Sequence, residues 1–354
     1  MADPDYIVKT FEFKLRMNRI FEAACLRTLD QARFVYNCAL EQRIRVYAAS
    51  GLSLSYYEQS RQLTAARELP EVKACLRGIQ QDALRRLDLA FKAFFRRCQT
   101  GAAPGFPRFK SPDRYDTFSQ KIEKLRGCPL KGDQLRVPGV GTVRVRLSRP
   151  IEGTVKQLRL TRRVDGWYAL LVCDLPRPES LPPTGAEVGL DVGIACFAAL
   201  STGERIPNPR CLKQAEEQLK REQRALSRKR QGSWNRKKAR RQVAVRHLKV
   251  SRTRKDFHHQ EARQLVKDFE VIRVEDLNVR GMVKNHHLAQ AISDVAWSNF
   301  FGILTATAEE APATGGKSRP AIHKSNVQPL WSPAAAAAGA KSVLLRALLF
   351  VDRS

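Results

Sequence analysis

The segments GLDVGI (residues 189–194) and VIRVEDL (residues 271–277) decide the fold predicted for the second half of this 354-residue chain. Each is a run of apolar, largely β-branched residues that meets an acid, which is how a buried central strand delivers a carboxylate to the edge of a sheet. Because an unpaired carboxylate is costly to bury, such an acid usually meets a metal ion, a cation or a substrate. Asp191 and Glu275 are therefore the candidate catalytic and metal-binding residues. The other interpretation of GLDVGI taken alone, in which Asp191 only caps a turn, stays open.

The residues around each motif predict how the two strands meet. ACFAALSTGERI (residues 195–206) predicts a second strand, a turn at Thr202-Gly203 and a third strand. An acidic strand that leads into an antiparallel hairpin is the opening of an RNase H-like sheet. DFHHQEARQLVKDF (residues 256–269) predicts a helix before the second acidic strand, which allows that strand to lie parallel beside the first. Both acids are then expected at the same end of the sheet.

The charge of the chain indicates its class of partner. There are 63 Lys and Arg against 35 Asp and Glu, a formal net charge of +28, and the pI is about 10.3. An excess this large repels itself unless a polyanion neutralises it, so nucleic acid is the expected partner. Binding to ribosomal or other structural RNA is the general alternative. Membrane binding is not expected, because no apolar run approaches the roughly 20 residues that span a bilayer.

The cysteines and the N-terminus indicate the compartment. The eight cysteines form no C-x-x-C pair and are spread through segments with helix or strand patterns. Buried, reduced thiols of a cytoplasmic protein are therefore expected. The N-terminal stretch MADPDYIVKTFEF has no basic run followed by a long apolar one, so it does not predict a secretory signal.

Residues 211–255 form a strongly basic segment, with 17 Lys and Arg and 3 Glu. Leucines at positions 212, 219 and 226 mark one helical face, and a helical hairpin that turns near Gly232 is predicted. A solvated face explains part of this pattern, but the surplus charge repels itself, so contact with phosphate is favoured. The nucleic-acid-binding residues predicted here are Arg228, Lys229, Arg230, Lys237, Lys238, Arg240 and Arg241.

The first half of the chain predicts strands around a helical block. Residues 6–15 alternate as a strand, residues 18–100 carry apolar side chains at helical spacing, and residues 117–182 return to short alternating runs. The aromatic stripe of ALRRLDLAFKAFFRRC (residues 83–98) is interpreted as core packing rather than as a base-stacking surface. The linker RPESLPPTGA follows the second set of strands, and a domain boundary is placed near residue 183.

The segment GAAPGFPRFKS (residues 101–111) is a second candidate for nucleic-acid contact. Its prolines and glycines break any helix and frame an interleaved set of rings and cations. Rings in an extended loop stack on bases while cations meet phosphates. A plain linker is the alternative interpretation. The predicted binding residues are Phe106, Arg108, Phe109 and Lys110.

Two pairs of histidines invite a metal interpretation. They are His258 with His259 and His286 with His287. Zinc sites combine histidine with cysteine or acidic ligands at short, regular spacing. Neither pair has such neighbours, so the sequence does not predict a zinc site.

Several segments together resemble the RuvC-like nuclease region of the TnpB family. These are transposon-encoded proteins long described as transposases and similar to the type V CRISPR effectors. The resemblance covers roughly residues 6–310 and is specific, because many separate segments agree in order and spacing. In the second half, the segments are GLDVGI, LSRKRQGSWNRKKARRQVAVRH, KDFHHQEARQLV, VIRVEDLNVRGMVKN and LAQAISDVAWSNF. In the first half, they are RFVYNCALEQRIRVY, LSYYEQSRQLT, ALRRLDLAFKAFFRR and GFPRFKS.

The resemblance implies an α/β multidomain fold. A wedge-like β-barrel, here residues 1–15 and 103–182, encloses a helical recognition lobe at residues 16–102. An RNase H-like (RuvC) domain follows at residues 183–311. The family implies a prokaryotic, nucleoid-associated protein that binds a guide RNA derived from the transposon, recognises a short motif beside its target and cuts DNA.

The resemblance also implies roles for the two acids. Asp191 matches the first catalytic acid of the family and Glu275 the second. Their role would be to hold two divalent ions, Mg²⁺ or Mn²⁺, that activate a water and stabilise the leaving 3′ oxygen. Asp276 follows Glu275 and is expected to point to the opposite face of the strand, so it is ranked below Glu275.

The chain departs from the family after residue 311. The family continues with a zinc ribbon of paired C-x-x-C motifs and a third catalytic Asp. Residues 312–354 instead hold scattered Pro and Gly, five consecutive alanines and no cysteine, so the ligands for the zinc expected of the family are absent from them. We interpret these residues as an aberrant, disordered tail read in a shifted frame, and a natural short tail is the alternative.

The expected function follows from both observations. The chain is predicted to bind RNA and DNA as the family does, with weak metal binding and with impaired or absent cleavage. A nuclease-dead guided binder that represses transcription is one alternative, and a non-functional remnant is another. The sequence leaves these three open.

Overall fold

The computed structural model describes residues 6–73, 75–122, 129–176, 185–311 and 321–325. The chain divides into two compact units, Met1–Arg177 and Pro178–Ser354. No helix among the described residues is long and apolar enough to cross a membrane.

The first unit is built on one antiparallel sheet. Its order is β2-β6-β7-β1-β5-β4-β3, and every neighbouring pair runs antiparallel. The strand predicted over residues 6–15 and the strands predicted after residue 117 are confirmed. The strands are β1 (Tyr6–Arg16), β2 (Thr117–Lys121), β3 (Leu130–Lys131), β4 (Gln134–Val137), β5 (Gly141–Arg146), β6 (Thr154–Arg163) and β7 (Gly166–Pro176).

Helices connect β1 to β2, and the two longest of them pack on this sheet. The connecting helices are α1 (Arg19–Ser50), α2 (Tyr56–Ala66), α3 (Pro70–Lys73) and α4 (Arg77–Gln99). The helical pattern predicted from residue 18 to residue 100 is thereby confirmed. Asn18 starts α1, because its side-chain oxygen accepts a hydrogen bond of 2.7 Å from the backbone N–H of Phe21. Leu84 and Leu87 of α4 are buried in the core with alternate residues of β1. The core interpretation of the aromatic stripe is confirmed only in part, because Phe91 packs against this core whereas Phe95 is 51% exposed.

The second unit contains a five-stranded mixed sheet in the order β10-β9-β8-β11-β12. The strands β8, β9 and β10 run antiparallel, and β11 lies parallel between β8 and β12. The predicted hairpin after the first acidic strand and the parallel pairing of the two acidic strands are both confirmed. The strands are β8 (Glu187–Val192), β9 (Cys196–Leu200), β10 (Arg205–Pro207), β11 (Val271–Glu275) and β12 (Ala321–Ser325).

Five helices complete the described part of this unit. They are α5 (Cys211–Ser227), α6 (Trp234–Asp268), α7 (Val279–Met282), α8 (His286–Val295) and α9 (Trp297–Glu310). The C-terminal half of α6 and the apolar face of α9 cover one face of the sheet. Their buried side chains include Leu265, Trp297 and Phe300.

The strand β12 was not predicted. The sequence indicated a disordered tail from residue 312, yet Ala321–Ser325 pairs in parallel along the whole of β11. Its residue Ile322 packs against the core of the unit, which gives this short segment a reason to form a strand. Residues 312–320 and 326–354 lie outside the described residues, and the prediction stays untested there.

Candidate functional site

The two predicted catalytic acids lie beside each other at one end of the five-stranded sheet. In the parallel pair, Val274 of β11 lies opposite Leu190 of β8. The next residue on each strand is Glu275 and Asp191 respectively, and neighbouring strands are about 4.8 Å apart. The fold therefore brings together two carboxylates that are 84 positions apart in the sequence.

Both acids point away from the core. The side chains of Leu190 and Val274 are buried against α6 and α9, whereas Asp191 and Glu275 are exposed. This follows from the alternation of side chains between the two faces of a strand. The core face fixes the backbone of β8 and β11, and the opposite face presents the acids.

The neighbourhood of Asp191 lacks bulk. On β9 the residue opposite is Ala199, and the preceding residue of β8 on the same face is Gly189. Burial by the surrounding protein nevertheless raises the pKa of the Asp191 carboxyl above its ordinary value. The nearby Arg273 is engaged elsewhere, because its guanidinium lies 2.9 Å from the carboxylate of Glu187. The room beside this carboxylate allows a cation to approach, and the charge of the cation would favour the ionised form.

The prediction that Asp276 points to the opposite face stays untested. The expectation that it points to the opposite face assumed that the strand continues past it. The strand β11 ends at Glu275, so the alternation that carried this expectation stops one residue earlier. Asp276 is exposed and takes part in an interaction of its own.

Asp191 and Glu275 are the candidate metal ligands at this end of the sheet. Among the residues that the structure describes, no group of three or more His, Cys, Asp or Glu side chains is placed to hold a metal. Asp191 and Glu275 supply oxygen ligands of the kind that Mg²⁺ and Mn²⁺ prefer.

The basic segment forms the predicted helical hairpin. The helices α5 and α6 are joined by a turn in which Gly232 has a φ of +78°, a conformation that glycine adopts without strain. Ser233 begins α6 by accepting a 3.2 Å hydrogen bond from the backbone N–H of Arg236. Arg236 in turn donates to the carbonyls of Leu226 and Lys229, at 3.2 and 2.7 Å, and closes the turn.

The cations predicted to bind nucleic acid surround this turn. All seven are exposed, three before the turn and four in the first two turns of α6. Arg236, which the prediction left out, is the cation that serves the turn itself. Arg241 also has an interaction within the protein. The residues are Arg228, Lys229, Arg230, Lys237, Lys238, Arg240 and Arg241.

A largely buried acid that the sequence analysis missed holds the hairpin to α8. The carboxylate of Asp294 accepts hydrogen bonds of 2.9 and 3.0 Å from the backbone N–H of Leu212, at the start of α5. It also pairs with Arg254 of α6 at 2.8 Å. The only signal in the sequence is an acid in the apolar run AISDVAW, and nothing local identifies its partners.

A cavity of about 400 Å³ lies next to Asp294. Its wall includes Arg210, which adopts a left-handed backbone conformation with a φ of +46°. The cavity extends from Ile194, in the turn after β8, and most of its lining residues are polar or charged. The lining residues are Ile194, Asn208, Arg210, Lys213, Glu216, His287, Gln290, Ala291 and Asp294.

The predicted contact loop at residues 101–111 has two kinds of residue. Phe106 packs edge-on against Phe91 and Phe94 of α4, with ring centroids 5.6 and 5.4 Å apart. The backbone of Lys110 is tied to Asn37 of α1 by hydrogen bonds of 2.9 and 3.0 Å. Arg108 and Phe109 are exposed, and Phe106 is exposed to nearly the same extent as Phe109, 48% against 53%. The two rings therefore differ in their ring contacts and not in their exposure.

The histidines have different surroundings. His258 is buried among Phe197, Phe257 and Phe300, and its Nε2 lies 3.0 Å from the carbonyl of Val295. Burial lowers the pKa of this imidazole to about 4, against an ordinary value of 6.5. The neutral ring therefore donates to the Val295 carbonyl and acts as part of the core. His286 and His287 are exposed at the start of α8.

Comparisons with known proteins cover most of the chain. Residues 170–286 match the family described as "Probable transposase", and residues 7–51 match one described as "Helix-turn-helix domain". In the second range the structure has β1 and the single 32-residue helix α1. A Streptomyces pristinaespiralis protein named as a candidate RNA-guided DNA endonuclease is 34% identical over 306 residues, 84% of this chain and 74% of that protein. The Escherichia coli K12 protein InsQ, named in the same way, is 29% identical over 283 residues, 78% of this chain and 68% of that protein.

A solved structure shares the fold. In the cryo-EM structure of the Cas12f1-sgRNA-target DNA complex, one chain superposes with a TM-score of 0.55 at 12% sequence identity. The superposition covers 90% of this chain and 89% of that chain. At such low identity, the likeness shows the fold alone.

Proposed function

The chain belongs to the TnpB family, and we propose that it is an RNA-guided DNA-binding protein whose nuclease site is the sheet end carrying Asp191 and Glu275. One observation carries the site: two acids from adjacent parallel strands lie side by side on the open face of a sheet whose other face is core. The names of its relatives, transposase and RNA-guided DNA endonuclease, support a nucleic-acid-binding function of the nuclease type. The guide RNA is derived from the transposon, and the target is DNA.

The acids are the residues that would hold Mg²⁺ or Mn²⁺. When bound, such an ion activates a water and stabilises the leaving oxygen of the cleaved phosphodiester. The chain's own contribution is to fix both carboxylates on backbone that the core holds rigid. Burial raises the pKa of Asp191, so the surroundings disfavour its charged form, and a cation beside it would favour that form again.

The basic hairpin supplies the electrostatic part of binding. Its exposed Lys and Arg contact phosphates. In the 101–111 loop, Arg108 contacts a phosphate and Phe109 stacks on a base. The anchored pair, Phe106 and Lys110, shapes that loop. Within the first unit, we propose that the antiparallel sheet is the wedge-like barrel at residues 1–15 and 103–182 and that residues 16–102 are the recognition lobe. Residues 183–311 form the RuvC-like domain of a nucleoid-associated cytoplasmic protein.

The expectation of impaired cleavage stays a prediction. It rests on the composition of residues 312–354 and on the family's need for a third acid. The experiment measures binding and cutting separately, with guide RNA transcribed from the transposon end, a matching target duplex, and Mg²⁺ or Mn²⁺. We expect target retention that depends on the guide sequence, with slow or no cleavage.

A grafted chain tests the site itself. Replacing the residues after 311 with the tail of an active family member is expected to restore cutting. Changing either Asp191 or Glu275 to Ala in the graft is expected to abolish it again. If the unmodified chain cuts robustly and Asp191→Ala abolishes the cutting, the prediction of impaired cleavage is wrong, but the proposed position of the nuclease site is supported. Target retention that ignores the guide sequence would overturn the proposed function.

A further inference from the structure

Trp234, the first residue of α6, has an unusually exposed aromatic ring. The side chain of Trp234 is 78% exposed, more than any other aromatic side chain among the described residues. Trp167 and Trp297 are both buried at 2% exposure. An isolated exposed apolar residue needs no explanation, so the surroundings of this ring decide whether it has a role.

The ring stands in a field of positive charge. Helical spacing places Lys237 and Lys238 one turn after Trp234 on the same side of α6, with further cations of the hairpin around the turn. The sequence has no acid between Glu222 and Asp256. A protein partner for this ring would have to neutralise that charge with acids of its own, whereas nucleic acid supplies both phosphates and bases.

The backbone next to this ring is held in place by hydrogen bonds. Ser233 caps the helix directly before it, and Arg236 closes the turn with hydrogen bonds to two carbonyls. Because the backbone is fixed, stacking on a flat partner costs only the freedom of the two side-chain rotations of the ring. The bases of a duplex are hidden in their own stack, so the partner with an available face is an unpaired base.

We propose that Trp234 stacks on an unpaired nucleotide of the bound nucleic acid, while Lys237 and Lys238 contact the phosphates beside it. This proposal rests on the proposed nucleic-acid-binding function and names the form of nucleic acid that the hairpin takes. A single-stranded stretch of guide RNA and a strand of opened target DNA offer the same chemistry. The test therefore includes both.

The experiment compares full-length variants in a salt series. The probes are labelled single strands of mixed sequence, as RNA and as DNA, and duplexes of equal length. Stacking is not an ionic contact, so Trp234→Leu is expected to weaken single-strand binding by about 5-fold to about 100-fold at every salt concentration, with an unchanged slope of log affinity against log salt. Duplex binding is expected to stay as in the parent, and Trp234→Phe is expected to keep most of the single-strand affinity.

A charge variant is the matched contrast. Replacing Lys237 and Lys238 with Gln is expected to lower the salt slope by about 0.7 for each lost single-strand contact, which Trp234→Leu does not do. Thermal melting checks that both variants fold. A loss confined to the RNA probe assigns the stacked base to the guide, and one confined to the DNA probe assigns it to the target strand.

Two failures are distinguishable. If the parent chain binds neither single strands nor duplexes, the proposed function itself fails. If the parent binds and Trp234→Leu binds single strands equally well, or weakens single strands and duplexes alike, the stacking role is overturned and the proposed function stands.

Discussion

The two faces of β8 and β11 are formed by alternate residues of the same short strands and have opposite surroundings. On one face Leu190 and Ile272 are sealed against helices, and on the other Asp191 and Glu275 meet solvent. The core face therefore contributes most to the stability of this unit, and the acid face is available for binding. Because successive side chains alternate, the core face fixes the position of the acids without touching them.

The largest effect is expected on the core face. Ile272 is completely buried, so Ile272→Ala is expected to lower the free energy of unfolding by about 2–5 kcal/mol through lost burial and the cavity left behind. Urea denaturation measures the change. Its neighbour Arg273 is the matched control, since its exposed pair with Glu187 is worth at most about 1 kcal/mol. Equal losses in the free energy of unfolding for substitutions at both positions would contradict the claim that the core face contributes more to stability than the acid face.

A pH series sharpens the comparison, because the core behind the sheet contains His258. Its pKa in the folded chain is about 4, against an ordinary 6.5, with burial as the main cause and the charges of Arg254 and His259 adding to it. The neutral ring is the form the fold prefers, so its contribution is complete above pH 6.5 and is lost as the pH falls toward 4. We expect the melting temperature to fall across this window, and to fall less in His258→Phe. Identical pH profiles would place the acid sensitivity elsewhere.

The 101–111 loop repeats the contrast between packed and free residues on a smaller scale. Phe106→Ala removes two edge-on ring contacts, each worth about 0.5–1.5 kcal/mol beyond the area that the rings bury, so stability is expected to fall by about 1–3 kcal/mol. Phe109→Ala is expected to change stability by less than about 0.5 kcal/mol. The order reverses in nucleic-acid binding, where loss of Phe109 is expected to cost about 1–3 kcal/mol and loss of Phe106 less. Melting curves rank the two variants by stability, and filter binding ranks them by affinity for nucleic acid. If the same variant is more damaged in both measurements, the assignment of Phe106 to packing and Phe109 to binding is contradicted.

Little change in stability is expected on the acid face. Burial raises the pKa of Asp191, so the folded state does not favour its charge. Asp191→Asn is therefore expected to change the free energy of unfolding by less than about 1 kcal/mol, in the stabilising direction. Urea denaturation in buffer without divalent ions measures it. A clear destabilisation would mean that Asp191 serves the fold, as the turn-capping interpretation holds.

The sequence predicts the parts of this molecule that local patterns determine. Alternation and a preceding helix are enough to place Asp191 and Glu275 side by side, and the spacing of leucines is enough to predict the α5–α6 hairpin. Long-range contacts are a different matter. The bond from Asp294 to α5, the packing of Phe106 on α4 and the pairing of β12 join residues far apart in the chain, and no local pattern encodes them.

The central claim is that the adjacent carboxylates of β8 and β11 form one cation site. A titration of the purified chain with Mn²⁺, followed by the electron paramagnetic resonance signal of the free ion, tests it most directly. We predict weak binding that falls in Asp191→Asn and in Glu275→Gln but is unchanged in Glu187→Gln, a carboxylate on the same face that is already paired with Arg273. Binding that is the same in the parent and in all three variants would contradict the claim.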